Sequence, residues 1–277
     1  MPEIEMPSPD EVRAATVRFS SADAFKKVVK IRDNLTVKYG NAVKLLEAGT
    51  MRFVADNSAV HVPKIHGSFT DPETDEHFIV MDFIPGETLE KLLPTLNQQE
   101  KDQITQRIKE AVAELRRIPS PGYIGGIKKS AIPHDMFWFP GRDPIIAGPF
   151  ENEAAFNEGL LRRLGTVSSM TESYLDTLRE LFNEALKNHR IVFTHSDLQP
   201  KNIMVHRTSD DEDGIDQFQI TIIDWEDAGW YPDYWEFCQA NVMAQYRAHW
   251  LAMSRRALSL PGYEYTLMQM VFHILYY

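Results

Sequence analysis

The chain has 277 residues, 43% of them apolar and 11% aromatic, so it can bury a sizeable core as one large domain or as two lobes sharing a cleft; a short peptide module is excluded. Lys and Arg number 29 against 40 Asp and Glu, and the formal charge of −11 opposes the basic footprint that phosphate-backbone binding needs, so nucleic acid is not expected as a partner. Cys238 is the only cysteine, which precludes an intrachain disulfide and suits a reducing, cytoplasmic setting.

Residues 1–20 begin acidic and proline-rich (MPEIEMPSPDEVR), without the basic start or apolar stretch of a secretory signal, and are expected to form a loosely ordered arm. Residues 26–39, KKVVKIRDNLTVKY, are two β-branched runs around the turn pair Asp33-Asn34, the composition of a hairpin. On its second strand Leu35, Val37 and Tyr39 share one face, Thr36 and Lys38 the other. Gly40-Asn41 breaks that strand, and Asn41 is expected to cap a helix from about 42 to 56. A second hairpin is expected over 64–84, with DPETDE as its turn, and Pro85-Gly86 ends the strands.

Beyond that hinge the pattern becomes helical. Asn97 followed by Glu100 resembles a capping box, and Ile104, Ile108, Val112 and Leu115 recur at helical spacing. The stretch 119–149, rich in Pro, Gly and aromatics, is too long for an ordinary connection. Two helices are expected near 151–164 and 171–188, then strand, loop and strand over IVFTHSDLQPKNIMVHR. A further strand, QFQITIIDW, follows the acidic run Asp210 to Asp216, which is expected to be a solvated hairpin tip. Helical patterns resume from about Tyr234; the apolar tail from Tyr265 to Tyr277 is interrupted by Gln269 and His273 and falls short of the ~20 residues of a membrane span, so no membrane partner is expected. Strands first and helices later predict a two-lobed α+β protein, with an N-terminal lobe over 21–84 and a C-terminal lobe over 85–277.

Three signals carry chemistry. His195-Ser196-Asp197-Leu198-Gln199-Pro200-Lys201-Asn202 matches the H-x-D-L-x-x-x-N catalytic loop of kinases at each defining position. That chemistry needs a carboxylate to take the proton of an attacking hydroxyl and an amide oxygen to hold a metal, roles that fall to Asp197 and Asn202. Asp224 ends the apolar run Ile220 to Ile223, where a strand delivers a hard oxygen ligand suited to Mg²⁺. Glu47 sits on an apolar helix stripe with Val43, Met51 and Val54, where an unpaired carboxylate is costly; Lys38, nine residues earlier, is the natural partner.

On these residues the chain resembles the aminoglycoside phosphotransferase family of small-molecule kinases, particularly its fungal members. The similarity runs from VVKIRDNLTVKYG through VPKIHGSFT and FIVMDFIPGETLEKL to THSDLQPKNIMV and IIDWEDAGWYPDYWEF, nearly the whole chain. It implies a protein-kinase-like bilobal fold with a small β-rich N-lobe and a larger, mainly helical C-lobe. It also implies ATP and Mg²⁺ as cofactors and phosphoryl transfer to a hydroxyl of a small molecule. By the same resemblance Lys38 contacts phosphates with Glu47 as its partner, and Asp197 is the catalytic base. Asn202 and Asp224 become metal ligands, and the backbone of Asp82 and Ile84 meets the adenine.

The pattern also departs from protein kinases. No Gly precedes Gly40, so the usual glycine-rich phosphate lid is missing, and a pseudokinase or binding module without nucleotide is the alternative reading. Asp224 is followed by Trp225-Glu226, and no activation segment is recognisable, which speaks against a regulated protein kinase. His195 is expected to brace the loop. Trp225, Trp230, Tyr231, Tyr234 and Trp235 are expected to pack in the core, with an aromatic cage for a cation as the alternative.

Overall fold

The alternation of Leu35, Val37 and Tyr39 with Thr36 and Lys38 gives a strand with two different faces, and the N-terminal lobe is built on that difference. In the computed structural model, which describes residues 4–21, 23–141, 143–208, 217–242 and 247–277, five antiparallel strands form one sheet in the order β1-β2-β3-β5-β4. They are β1 (Val17–Arg18), β2 (Lys27–Ile31), β3 (Leu35–Gly40), β4 (Ile65–Thr70) and β5 (His77–Asp82). Val29, Ile31, Leu35, Val37, Tyr39, Phe78 and Val80 make an apolar layer on one face. Against it packs α1 (Pro9–Arg13), capped by Ser8, with Val12 wholly buried. Arg13 secures that helix by ion pairs to Asp71 and Glu76, so residues 9–13 are a docked helix where composition suggests a loose arm.

The opposite face carries Lys38 and the helix α2 (Leu46–Asn57). This helix starts four residues later than the Asn41 cap predicts. Asn41 instead spends its amide on Thr74 O (3.3 Å) in the β4–β5 turn, and Leu45 stands at the N-cap without a side-chain bond. Val43, Ala48, Met51 and Val54 under α2 join the same buried cluster as Phe193, Ile203, Ile222 and Trp225, so one apolar core runs from lobe to lobe.

Past the hinge, β6 (Glu87–Thr88) extends the strands beyond Pro85-Gly86, where the sequence pattern ends them. Gly86 permits this. Its φ is +102°, and a Cβ there would lie 2.2 Å from the carbonyl oxygen of Val205. Next come α3 (Leu89–Leu92) and α4 (Gln98–Leu115), whose Asn97–Glu100 capping box is present and whose Ile104, Ile108, Val112 and Leu115 are buried. The long segment 119–150 holds two short 3₁₀ turns and α5 (Pro144–Ala147); the bridge Ile124↔Phe150 closes it on itself, and Gly125↔Trp230 stitches it to the lobe. Helices α6 (Glu153–Leu164) and α7 (Glu172–Ala185) follow.

Strand β7 (Ile191–Thr194) leads into the loop 195–202, and β8 (Ile203–Thr208) lies between β6 and β9 (Gln217–Ile222), antiparallel to both. The acidic run Asp210 to Asp216 lies outside the described residues. Then β10 (Gly229–Pro232) pairs with β7, followed by α8 (Trp235–Ala240), α9 (Ala248–Ala257) and α10 (Tyr263–Tyr276). The fold is bilobal: a β-rich N-terminal lobe on a mainly helical C-terminal one. Among the described residues no helix is long and apolar enough to cross a membrane. Trp225, Trp230, Tyr231, Tyr234 and Trp235 are all buried, so they pack the core and form no open cage.

Candidate active site

The site begins with Lys38, whose place on the non-core face of β3 turns it toward α2 and the cleft. Its ammonium lies 2.7 Å from Glu47, 2.6 Å from Asp224 and 3.4 Å from Glu226. Lys38 is 6% and Glu47 1% exposed, so each removes the other's isolated buried charge. Burial alone would lower the Lys38 ammonium, but the three carboxylates outweigh it and raise it. Burial pushes the Glu47 carboxyl up to about 7 despite Lys38, with Asp224 and Glu226 adding to the rise. Asp224 is likewise disfavoured by burial, yet the Lys38 ammonium wins and holds it below its ordinary value. Glu47, Asp224 and Glu226 each bring a carboxylate oxygen within 4.8 Å of the others.

A second network surrounds Asp197. Asn202 Nδ2 donates to the main-chain oxygen of Asp197 (2.9 Å) and to its Oδ2 (2.8 Å), while Lys201 lies 3.0 Å from that same Oδ2. Both N–H bonds of the Asn202 amide point at Asp197, which fixes the amide's orientation. Its Oδ1 accepts nothing among the described residues.

His195 ties the two networks together. It is wholly buried; its Nδ1 accepts from Asp197 N (3.2 Å), which leaves Nε2 to donate to Ile223 O (3.0 Å). Ile223 N in turn donates to Asn202 O (3.0 Å). Ser196 and Asp224 both take left-handed backbone angles, with φ of 73° and 66°. Such conformations are uncommon for residues with a side chain and gather at functional sites.

Lys38, Glu47, Met81, Ile84, Asn202 and Asp224 line a cavity of about 510 Å³ between the lobes, and Asp82 borders it as well. Asp82 spends its N–H on Lys64 O (3.0 Å) and its carboxylate on His66 (2.6 Å). The Ile84 N–H finds no acceptor among the described residues. Asp197 stands beside the cavity wall, joined to it through Asn202.

Several site residues escape sequence reasoning. Glu236, 2% exposed on α8, accepts the main-chain N–H of His195 (2.7 Å) and of Ser196 (3.1 Å), and Trp235 donates to Ser196 Oγ (2.8 Å). Burial raises the Glu236 carboxyl, partly offset by His195 and by those two N–H groups. Lys26 pairs with Glu226, and Lys44 lies 3.1 Å from Asp227 and 2.8 Å from Pro133 O. Lys44 therefore crosses to the C-terminal lobe instead of pairing with Glu47 along its own segment. The acids could have been suspected from the spacing D-W-E-D at 224–227; the lysines carry no local signal.

A sequence model of the phosphotransferase enzyme family (APH) matches residues 16–267. Solved structures with the same fold include a thermostable mutant of aminoglycoside phosphotransferase APH(4)-Ia in ternary complex with AMP-PNP and hygromycin B. It is 13% identical at a TM-score of 0.62, covering 93% of this chain and 83% of that one. The GDP complex of wild-type aminoglycoside 2'-phosphotransferase-IIIa is 13% identical at a TM-score of 0.54, covering 94% of this chain and 83% of that one. At such identities the likeness is one of fold. No curated protein sequence matches significantly.

Proposed function

The chain belongs to the phosphotransferase enzyme family, and from that premise we propose that it moves the γ-phosphoryl group of ATP to a hydroxyl of a small molecule, with Mg²⁺. The observation that carries this reading is the meeting of Lys38, Asn202 and Asp224 on one cavity, with Asp197 2.8 Å from Asn202. The cavity's size and the apolar surface that Phe19, Val28, Met81, Ile84, Met204 and Ile223 give its lining suit a nucleoside, and the Ile84 N–H, unpartnered among the described residues, suits a base edge. The oxygens of Asp224 and Asn202 are the hard donors Mg²⁺ prefers, and the Asn202 Oδ1 has no competing partner. When bound, the metal supplies positive charge to the β- and γ-phosphates.

The protein's part is positional. Glu47 holds the Lys38 ammonium in place for phosphate oxygens, and Asn202 orients the Asp197 carboxylate by a direct bond. Asp197 accepts the proton of the acceptor hydroxyl as that oxygen attacks in line. Glu236 and His195 fix the backbone on which Asp197 rides. Aminoglycosides, the class named for both solved relatives and represented by hygromycin B in the APH(4)-Ia complex, are one class of polyhydroxylated acceptor to test.

The test is a screen of metabolites and antibiotics coupled to ADP release, run with Mg²⁺ and with a chelator. The expected result is acceptor-dependent ADP release that the chelator abolishes, and a loss of about 10²–10⁴-fold in turnover for a folded Asp197→Ala variant. A thermal-shift titration with ATP and GTP stands beside it, since a ligand at a hundredfold excess over its Kd stabilises by about 2.7 kcal/mol. Absence of any shift with either nucleotide would overturn the proposal in favour of a binding module without nucleotide.

A further inference from the structure

We infer that Lys26, on the turn between the first two strands, is a phosphate-binding residue that replaces the missing glycine-rich lid, and that Glu226 holds its ammonium until a triphosphate takes it over. This rests on the kinase reading above and assigns a residue that reading does not use.

The turn joining β1 to β2, FSSADAFK, contains no glycine. A lid that works through main-chain amides needs backbone to come close to phosphate, which glycine permits and side chains obstruct. This turn borders the nucleotide cavity all the same: Phe19 at its start and Val28 just beyond its end both line it. The two ends of the turn are tied together, since Phe19 N donates to Val28 O (2.9 Å) and Val28 N to Ser20 Oγ (3.0 Å). With amides kept at a distance, a long cationic side chain is the means by which such a turn can reach an anion.

Lys26 does reach across the cleft. Its ammonium pairs with Glu226 Oε1, while Lys38 lies 3.4 Å from Oε2 of the same carboxylate. Two ammonium groups, one from the turn and one from β3, therefore already share a single oxyanion. A phosphate asks for the same arrangement, several donors on one charged group. The local charges also favour exchange. Glu47, Asp224 and Glu226 outnumber Lys26 and Lys38, and a triphosphate adds further negative charge beside Glu226. Glu226 is also the acid with the weakest claim on Lys38, which Glu47 and Asp224 hold more closely, so Lys26 is its main counter-charge. The Lys26 side chain is 31% exposed against 8% for Lys38, so it can turn from one anion to another without crossing a packed core.

The test is calorimetric titration of the full chain without acceptor, using MgATP, MgADP and adenosine as probes. Lys26→Met is expected to weaken MgATP about tenfold, or about 1.4 kcal/mol, to weaken MgADP less, and to leave adenosine unchanged. Added salt should narrow the MgATP difference. Glu226→Gln, which removes the carboxylate charge that holds Lys26, is expected to tighten MgATP. Equal MgATP affinity in wild type and Lys26→Met, with or without a change in melting temperature, would make Lys26–Glu226 a structural tie and overturn the assignment. So would equal losses for MgATP and adenosine, or weaker MgATP binding by Glu226→Gln. Failure of the wild type to bind MgATP at all would instead overturn the kinase reading.

Discussion

Replacing Glu236 by Ala removes the acceptor of two buried main-chain donors at once, the N–H groups of His195 and Ser196. His195, Ser196 and Glu236 are 0%, 1% and 2% exposed, so water cannot take over as acceptor without the loop opening. Each buried donor left unmade costs about 1–3 kcal/mol, so the pair costs about 2–6. Part returns, because the variant no longer buries a carboxylate, and a net loss of about 2–4 kcal/mol is expected. Gln keeps one oxygen and strands one donor, so Glu236→Gln should fall between, about 1–3 kcal/mol below wild type. Equilibrium urea unfolding near neutral pH reads both values from the shift in midpoint at constant slope. The pH dependence adds a second check. Burial raises the Glu236 carboxyl, so its contribution is full below the ordinary carboxylate range and is lost as pH rises through the folded value. Gln has no such term, and the wild-type advantage over Glu236→Gln should therefore narrow as pH rises. A Glu236→Ala midpoint within about 0.5 kcal/mol of wild type, the range of an ordinary surface change, would refute the reasoning.

Gly86→Ala should destabilise by about 2–5 kcal/mol, the sum of strain at positive φ and of a Cβ forced against backbone. That Cβ would meet the Val205 oxygen at 2.2 Å, and thermal unfolding at or near the wild-type midpoint would count against it. His189 lies 2.5 Å from Glu153 and 3.1 Å from Glu264; burial disfavours its cation, but the two carboxylates outweigh that and raise it above the ordinary 6.5. Its contribution is therefore full on the acid side and lost as pH rises from about 6.5 through the folded value. Melting temperature followed against pH should fall over that window in wild type and less steeply in His189→Gln. Equal slopes would show that the His189 cation stabilises nothing.

What could be read from the sequence is what local pattern encodes. The faces of β3 follow from alternation, and the α4 start from the Asn97–Glu100 pair, because each depends on residues a few positions apart. The Lys38–Glu47 pair was legible for a different reason: a carboxylate inside an apolar stripe demands a partner, and the preceding strand offers a cation on the matching face. The Asn41 cap was misread because capping propensity assumes that the side chain is free, and here the β4–β5 turn had already taken it. Glu236 stayed invisible because its importance lies in two N–H groups 40 and 41 residues away, which no spacing rule joins to α8.

The least legible feature also joins the lobes, beside the apolar core they share. Within Asp224-Trp225-Glu226-Asp227 every acid takes a lysine from the N-terminal lobe: Asp224 takes Lys38, Glu226 takes Lys26, and Asp227 takes Lys44. Burial raises the Asp227 carboxyl, and Lys44 and His134 only partly counter it, so its partner cannot be withdrawn cheaply. Lys38 lines the cavity between the lobes and the Lys26 turn borders it, whereas neither Lys44 nor Asp227 does. Under the proposed function, an incoming triphosphate competes for the Lys38–Asp224 and Lys26–Glu226 pairs and leaves Lys44–Asp227 untouched, so that this third pair ties the lobes with or without ligand.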